Sequence, residues 1–389
     1  MNIKTVKKPP KRIDLNYLRR FNLQTYGDDN LYPQNLQLVT RASGTAELCI
    51  ARYAKFVEGF GFEDERTATL AVDAQGTKAD SLLHDIALDV ARFGGFAIHV
   101  NYNVLGRISS LHFVPFENCR LEEADDDGNV SHIVVHPDWT GARTRNGKRI
   151  LVTEDNIERF PIFNPDPLAV AQQIENAGGI TKYKGQIMWC SLSGKDTYPT
   201  PVYDSALTEI STDCGLGNVK YRNVRENFLV SCMLITRKNA PTFSDDGQEN
   251  DYSSMISKED LRDFQGDENT GKLMLVELEN SEEKPEIVEF PTKNFDKEYE
   301  VTESSVIERI YAQFHQELFY AIRIGKLGFS GDVMKDAYSY YAGEVTYEQR
   351  YIERAFTALA ANWHEPIPTL AFSIQPLKFI SAETNETNE

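Results

Sequence analysis

The stretch YDSALTEISTDCGLGNVKYRNVRENF, residues 203–228, and its later counterpart IERIYAQFHQELFYAI, residues 307–322, decide how this chain folds. In the first, Tyr203, Leu207, Ile210, Cys214, Gly217, Tyr221, Val224 and Phe228 recur at alternating spacings of 4 and 3. That rhythm puts all eight on one face of a helix. In the second, Ile307, Ile310, Phe314, Leu318 and Ile322 fall between polar residues on a single face. At ~1.5 Å rise per residue, each helix would span roughly 35–40 Å. Helices of that length need a packing partner along their sides, from each other or from neighbouring subunits. The two enclose a long insert, so the pattern predicts a helical hairpin with a small domain at its tip. An ordinary hairpin in a globular core is the plainer alternative. Gly215 and Gly217, in mid-helix, predict a kink or a close helix–helix contact.

The insert is acidic. Residues 241–300 hold 18 Asp and Glu against 6 Lys and Arg, a net of −12 out of −18 for the 389-residue chain. Asp260, Asp263, Asp267, Glu268, Glu282 and Glu283 stand out within it. The first 20 residues run the other way, with Lys4, Lys7, Lys8, Lys11, Arg12, Arg19 and Arg20 against Asp14. A net charge this negative argues against a protein that grips nucleic acid, because neutralising phosphates takes Lys and Arg. The localised charge suggests a negative module and a basic arm suited to an acidic neighbour. Without a run of about 18 apolar residues, no membrane span is expected. The N-terminus lacks the apolar segment of a signal peptide. Cys49, Cys119, Cys190, Cys214 and Cys232 are widely spaced with no CxxC, which reads as reduced, mostly buried thiols.

Along the chain, YGDDNLYP (26–33) is turn-rich, and Pro33 introduces a helix over 34–57 with Leu38, Cys49, Tyr53 and Phe56 on its apolar side. Gly59 is placed to end it. A second helix is expected over Ser81–Phe93, stopped by Gly94-Gly95. Alternation then predicts strands at Phe96–Tyr102, Ile108–Pro115, Cys119–Glu123 and Val130–His136, an antiparallel meander within an α+β domain. Short strands are expected at Ile150–Thr153 and Gln186–Cys190. In the insert, Phe228–Thr236 continues the helix or becomes a strand, Lys258–Gln265 reads as a short helix, and Lys272–Glu279 and Pro285–Pro291 read as strands. Gly325, Gly328 and Gly331 recur every third residue after the second long helix, and a Tyr-rich helix is expected over Val333–Asn362. The polar tail from Ser381 is expected to be disordered.

Enzymatic motifs fail on inspection. Gly266 to Lys272 (GDENTGK) matches seven positions of the P-loop, but the eighth is Leu273, with no hydroxyl for Mg²⁺. A helical pattern precedes it and a strand follows, the reverse of what phosphate binding at a helix N-terminus requires. His132, His136 and Asp138 hint at a metal cluster, yet no second ligand set has matching spacing, so a surface strand is the better reading. His315 falls inside the second long helix and reads as an interface or core residue. No catalytic residue, cofactor or metal is assigned.

Taken in order, several segments resemble the portal proteins of tailed bacteriophages, in particular the compact type of Bacteroidetes phages. They are YGDDNLYP (26–33), KFVEGFGF (55–62), DVARFGGFAIHVNYNVLGRISSLHFVPFENCRL (89–121) and TYPTPVY (197–203). GDENTGKLMLVEL (266–278), IYAQFHQELFYAIRIGKLGFSGD (310–332) and YEQRYIERAF (347–356) complete the set. Two departures from the family pattern stand out: the helical crown of larger portals looks absent or vestigial, and the usual Pro of the Tyr-rich helix is missing near Thr346-Tyr347. A kink there is therefore not assured.

The resemblance implies an α+β portal subunit, non-enzymatic, that forms a ring of typically twelve at a capsid vertex of the virion, assembled in the host cytoplasm. It implies a basic arm at 1–25, a wing at 26–202 and 339–380 (wing helix and closing strand), and stem helices at 203–229 and 296–323. An acidic clip would occupy 230–295, a tunnel loop 324–338 and a disordered tail 381–389. Leu207, Ile210, Tyr221, Val224, Phe228, Ile307, Ile310, Phe314 and Leu318 would pack the stems. Gly325, Lys326, Gly328, Phe329, Gly331, Asp332 and Lys335 would face the channel. The implied partners are other copies of the chain, a terminase motor, major capsid and scaffolding proteins, head–tail connector proteins, and double-stranded DNA sliding through without specific binding. An acidic wall suits such sliding, because it repels phosphates. Two other classes compete: an acidic cytosolic hydrolase with an unrecognised carboxylate site, and a virion adaptor or collar protein. A ring of roughly half a megadalton separates the first reading from a monomeric enzyme.

Overall fold

The computed structural model describes residues 21–142, 144–145, 148–149, 151–194, 198–226, 232–237, 273–278, 287–289, 295–328, 330–365 and 371–380. The arm to residue 20, the expected helix 258–265, the P-loop-like 266–272, the six acidic residues of the insert, Phe228, Phe329 and the tail from 381 lie outside these.

In chain order the described elements are α1 (Tyr32–Ala42), α2 (Gly44–Glu58), α3 (Glu65–Ala68), α4 (Ala79–Phe93), β1 (Gly95–Tyr102), β2 (Ile108–Val114), β3 (Cys119–Leu121) and β4 (His132–Val135). Next come β5 (Thr144–Arg145), β6 (Lys148–Arg149), β7 (Glu158–Pro161), α5 (Pro167–Asn176), β8 (Gln186–Ser191), α6 (Leu207–Glu226) and β9 (Cys232–Arg237). The order closes with β10 (Leu273–Leu278), β11 (Ile287–Glu289), α7 (Phe295–Gln313), α8 (Glu317–Arg323), α9 (Gly331–Glu344) and α10 (Thr346–Ala360). The chain divides into two compact units, Met1–Ile210 with Glu308–Glu389, and Ser211–Ile307. No described helix is long and apolar enough to cross a membrane.

In the larger unit, α4 carries an apolar stripe (Leu82, Leu83, Ile86, Val90, Phe93) that is fully buried. The α2 stripe of Cys49, Ile50, Tyr53, Phe56 and Val57 is buried likewise. Gly94 caps α4 in the left-handed conformation (φ 75°). A side chain there would also meet the Thr200 carbonyl oxygen at 2.8 Å, so glycine is required twice over. The chain then enters β1, the central strand of a sheet ordered β2-β1-β8, antiparallel on both sides.

The expected meander splits here. After β2 the chain turns through Phe116–Asn118, and β3 pairs with β4 in a second sheet ordered β3-β4-β7. Two contacts draw it off line. Phe116 stacks between Phe93 and Trp189, at 5.8 and 4.4 Å between centroids. Its N–H donates to the Asp89 carboxylate at 3.0 Å. No strand forms over described residues 151–153. The strand β7 and the helices α3 and α5 were not anticipated.

Burial, aided by Glu117 and Asp85, raises the Asp89 carboxyl well above its usual range. Its protonated form is therefore favoured by folding. Stability from this group is complete below the ordinary aspartate value of ~3.9 and falls as pH rises through the elevated one. Asp89→Asn keeps an acceptor for Phe116 and removes the titration. Thermal midpoints measured from pH 4.5 to 8 are expected to favour the variant increasingly toward the alkaline end. Parallel curves for the two proteins would contradict the assignment.

Three expected single helices are broken. Ser43 separates α1 from α2, and its buried hydroxyl caps α2 by accepting from Ala46 N. Leu38, expected on the apolar side, is 67% exposed. Val345, buried, separates α9 from α10 without any proline. There α10 is pinned to α2 by Gln349 Nε2 donating to the Phe56 carbonyl and by Tyr53 donating to Glu348. The third break lies in the second long helix and is described below. The expected closing strand is an extended segment that bonds to residues 60–63 through Gln375 and Ser373, with one bridge between Phe62 and Ile374.

The smaller unit contains a three-stranded sheet ordered β10-β9-β11, with β10 parallel and β11 antiparallel to β9. Of the Phe228–Thr236 alternatives, residues 232–236 are strand and 228–231 lie outside the described residues; the other two expected strands are matched. The helical residues from Ser211 and those from Phe295 also belong to it, and Lys220 pairs with Glu303.

Candidate functional site

Of the residues that the resemblance assigns to the channel, Gly325, Lys326 and Gly328 sit between α8 and α9, and their placement starts at the end of α7. The helix α7 ends in a Schellman turn. The N–H of Gln316 reaches the Tyr311 carbonyl at 2.9 Å and that of His315 reaches Ala312 at 2.9 Å. Such a turn needs a left-handed residue after the last helical one, and here it is His315 (φ 54°). The next helix, α8, ends the same way. Gly325 is left-handed (φ 76°), and Lys326 N donates to the Ala321 carbonyl. Residues 326–328 follow, and the Ser330 side chain caps α9 by accepting from Val333 N.

A buried polar hub holds the break at 314–316. The Gln316 side chain is fully buried. Its Nε2 donates to the Cys49 carbonyl and to the Tyr341 hydroxyl, both at 2.9 Å. Its Oε1 accepts from Arg52 Nη1 at 3.0 Å. Tyr341 in turn donates to the Phe314 carbonyl at 3.0 Å, an acceptor that the broken helix leaves free. The Arg52 guanidinium lies over the Phe319 ring, 4.6 Å from its centroid. Arg323 donates to the Tyr311 hydroxyl at 3.0 Å. Burial pushes the Cys49 thiol up to about 12 and raises the Tyr341 phenol, so both stay neutral.

The left-handed conformation is costly for a residue with a Cβ, about 1 kcal/mol or more. His315→Gly is therefore expected to raise unfolding stability by about 1 kcal/mol, read as a higher urea midpoint at unchanged slope. A drop in midpoint would show that the imidazole makes a stabilising contact.

The break also corrects the expected stripe. Ile310 and Phe314 are buried and Ile307 is half-buried, but beyond 314 the register shifts. Phe319 and Ile322 become the buried pair on α8, and Leu318 is only half-buried. His315 is exposed at the turn and not inside a helix. On the first helix, α6 begins at Leu207 after a 3₁₀ turn at Asp204–Ala206. At 20 and 19 residues, α6 and α7 span about 30 Å each, shorter than expected. Tyr203 and Ile210 are buried and Leu207 is half-buried. Val219 and Tyr221 are 37% and 45% exposed. Val224 lies within the helix. A Cβ on Gly215 or Gly217 would meet nothing within 4 Å, so no close contact forms there among the described residues.

The expected loop 324–338 is shorter than predicted. Gly331, Asp332 and Lys335 belong to the first turns of α9, where Lys335 Nζ lies 3.9 Å from Asp332. Gly325, Lys326 and Gly328 remain in the connection and are exposed, together with Ile324 and Leu327. His132 pairs with Glu122 at 2.7 Å, and His136 Nδ1 accepts from Asp138 N, so each has a local partner. Gln316, Arg52 and Tyr341 were missed. A signal existed for Arg52, which stands at helical spacing between Cys49 and Phe56 on an otherwise apolar face.

No protein-family model matches the chain, and no curated protein matches it. Among solved structures, one chain from the neck of a native GTA particle, computed with C12 symmetry, superposes with a TM-score of 0.52. The match covers 88% of this chain and 84% of that one at 13% identity. A chain in the virion of a native gene transfer agent particle reaches 0.43 at 13% identity, covering 84% and 79%. An HK97-family phage portal protein from Corynebacterium diphtheriae reaches 0.33 at 10% identity, covering 76% and 87%. At these identities the likeness is one of fold, and it rests on the first of the three.

Proposed function

We propose that this protein is a portal: a subunit of a ring at one vertex of a phage or gene-transfer-agent particle, through which double-stranded DNA enters and leaves. The observation that carries this reading is the fold likeness to a GTA neck chain over 88% of the sequence. The order of helix, acidic insert, helix and short Gly-bearing connection supports it, and the sequence resemblance to compact Bacteroidetes-phage portals belongs to the same proposal. The C12 symmetry of that neck supports a ring of twelve. In this reading α6 and α7 are stem helices, the insert is a clip that docks a terminase motor and later the head–tail connectors, and residues 324–330 face the bore. The wing meets capsid and scaffolding proteins. The net charge of −18 supports a wall that repels phosphates and lets DNA slide.

The test is the assembly itself. Twelve subunits of 44.1 kDa give a closed ring of about half a megadalton with a central hole, expected in negative-stain images and by native mass measurement. Compact monomers at micromolar concentration would overturn the reading.

A further inference from the structure

The second long helix carries two incompatible instructions. Its sequence repeats apolar residues at helical spacing straight through residue 314, from Ile307 to Ile322, and QFHQELF (313–319) contains no Pro or Gly to stop it. The structure nevertheless breaks it with a left-handed His315, a conformation the residue type disfavours. What opposes the local preference is tertiary. Gln316 reaches Cys49 and Arg52 on α2 and Tyr341 on α9, and Tyr341 takes up the freed Phe314 carbonyl. The broken form buries Phe319, and a continuous helix would return Leu318 to the stripe that Ile310 and Phe314 begin.

We propose that residues 314–316 are a two-state joint, in which the broken helix locked by the Gln316 hub exchanges with a continuous helix running from α7 into α8. A packed element with two discrete arrangements, each internally satisfied, is the usual basis of such a switch. The exchange removes one left-handed residue and so rotates α8 about its own axis. That carries the connection after Gly325 to a new position. Nothing in this depends on the portal reading, because every contact involved lies within the larger unit.

The joint can be read with spin labels on the full chain. Glu308 and Lys326 are both exposed, and Cys214→Ser with Cys232→Ser leaves only buried natural thiols. Nitroxides at Glu308→Cys and Lys326→Cys, diluted into unlabelled protein, report one intramolecular distance. A continuous helix that ends at Arg323 fixes about 23 Å of that spacing along its axis. The otherwise unaltered protein is expected to give the distance of the broken form. Adding His315→Ala and Gln316→Leu should bring a second population near the helical spacing, at least tenfold larger than in the parent. His315→Gly should give the broken distance alone. Tyr341→Phe, which keeps the ring but loses the hydroxyl, should shift the balance in the same direction to a smaller extent, and it decides the matter if the double variant does not fold. A single unchanged distance in every folded lock-breaking variant would overturn the proposal.

Discussion

Arg120→Leu is expected to cost the larger unit about 3–5 kcal/mol of stability, the range typical of opening a buried charged network. The guanidinium is completely buried, and burial lowers its pKa to about 10, so it still carries its charge at neutral pH. It survives there because its donors are occupied. Nε reaches Asn30 Oδ1 at 2.7 Å, Nη1 the carbonyls of Glu117 and Cys119, and Nη2 the Asn30 carbonyl and Gln34 Oε1. Its plane lies against Trp139 and Tyr26, at 5.1 and 5.7 Å from the ring centroids. Leucine fills the volume but leaves those oxygens without donors, at roughly 1–3 kcal/mol for each one that water cannot reach. Relief from desolvating the charge offsets only part of this. Arg120→Lys should not rescue it, because an ammonium cannot span a planar fork of acceptors. Against a total stability of about 5–15 kcal/mol, either change should move the urea midpoint far. A shift worth less than about 1 kcal/mol would mean that the acceptors find other partners.

Val219→Asp combined with Tyr221→Asp is expected to convert rings to monomers while leaving the subunit folded. Both residues are on α6 and partly exposed in the single chain. If α6 is a stem helix, these side chains are covered by a neighbouring copy. Interface centres favour tyrosine and exclude carboxylates. Two charges introduced there cost about 2 kcal/mol or more per contact, and a ring repeats the contact at every subunit. Mass photometry should lose the half-megadalton species, and far-UV circular dichroism should not change. The two residues stand on opposite sides of α6, so rings of ordinary stability would place both sides of the helix at this level away from the interface.

What could be read in the sequence was whatever is encoded within one turn or one strand. The α4 stripe and its Gly94 stop, the alternation of β1 and β2, and the strands β10 and β11 of the insert match the structure closely. A period of 3.6 or 2 is a local property, and each residue's face follows from its neighbours. The errors share another origin. Leu38 and Leu318 were assigned to apolar stripes that a break upstream or downstream had taken out of register. The resemblance put 324–338 in a loop, yet the Ser330 cap starts α9 at Gly331, close to the helix start that the residue pattern placed at Val333. That cap was legible by residue type alone, since serine ahead of an acidic first turn is a strong helix start.

By itself the sequence determined most of the helices and strands and the acidic insert, because hydrophobic period and charge need no knowledge of distant residues. The tertiary structure alone decided where the long helices stop being straight. At 314–316 the deciding bonds join Gln316 to Arg52 and Cys49, more than 260 positions away, and at Val345 they join Gln349 to Phe56, 293 positions away. It likewise decided that β3 leaves β1 and β2 for another sheet, through a contact between Asp89 and Phe116. A helix propensity of a few tenths of a kcal/mol per residue cannot hold against a buried hydrogen-bonded side chain worth ~1 kcal/mol or more, so local pattern yields wherever the core supplies a better partner.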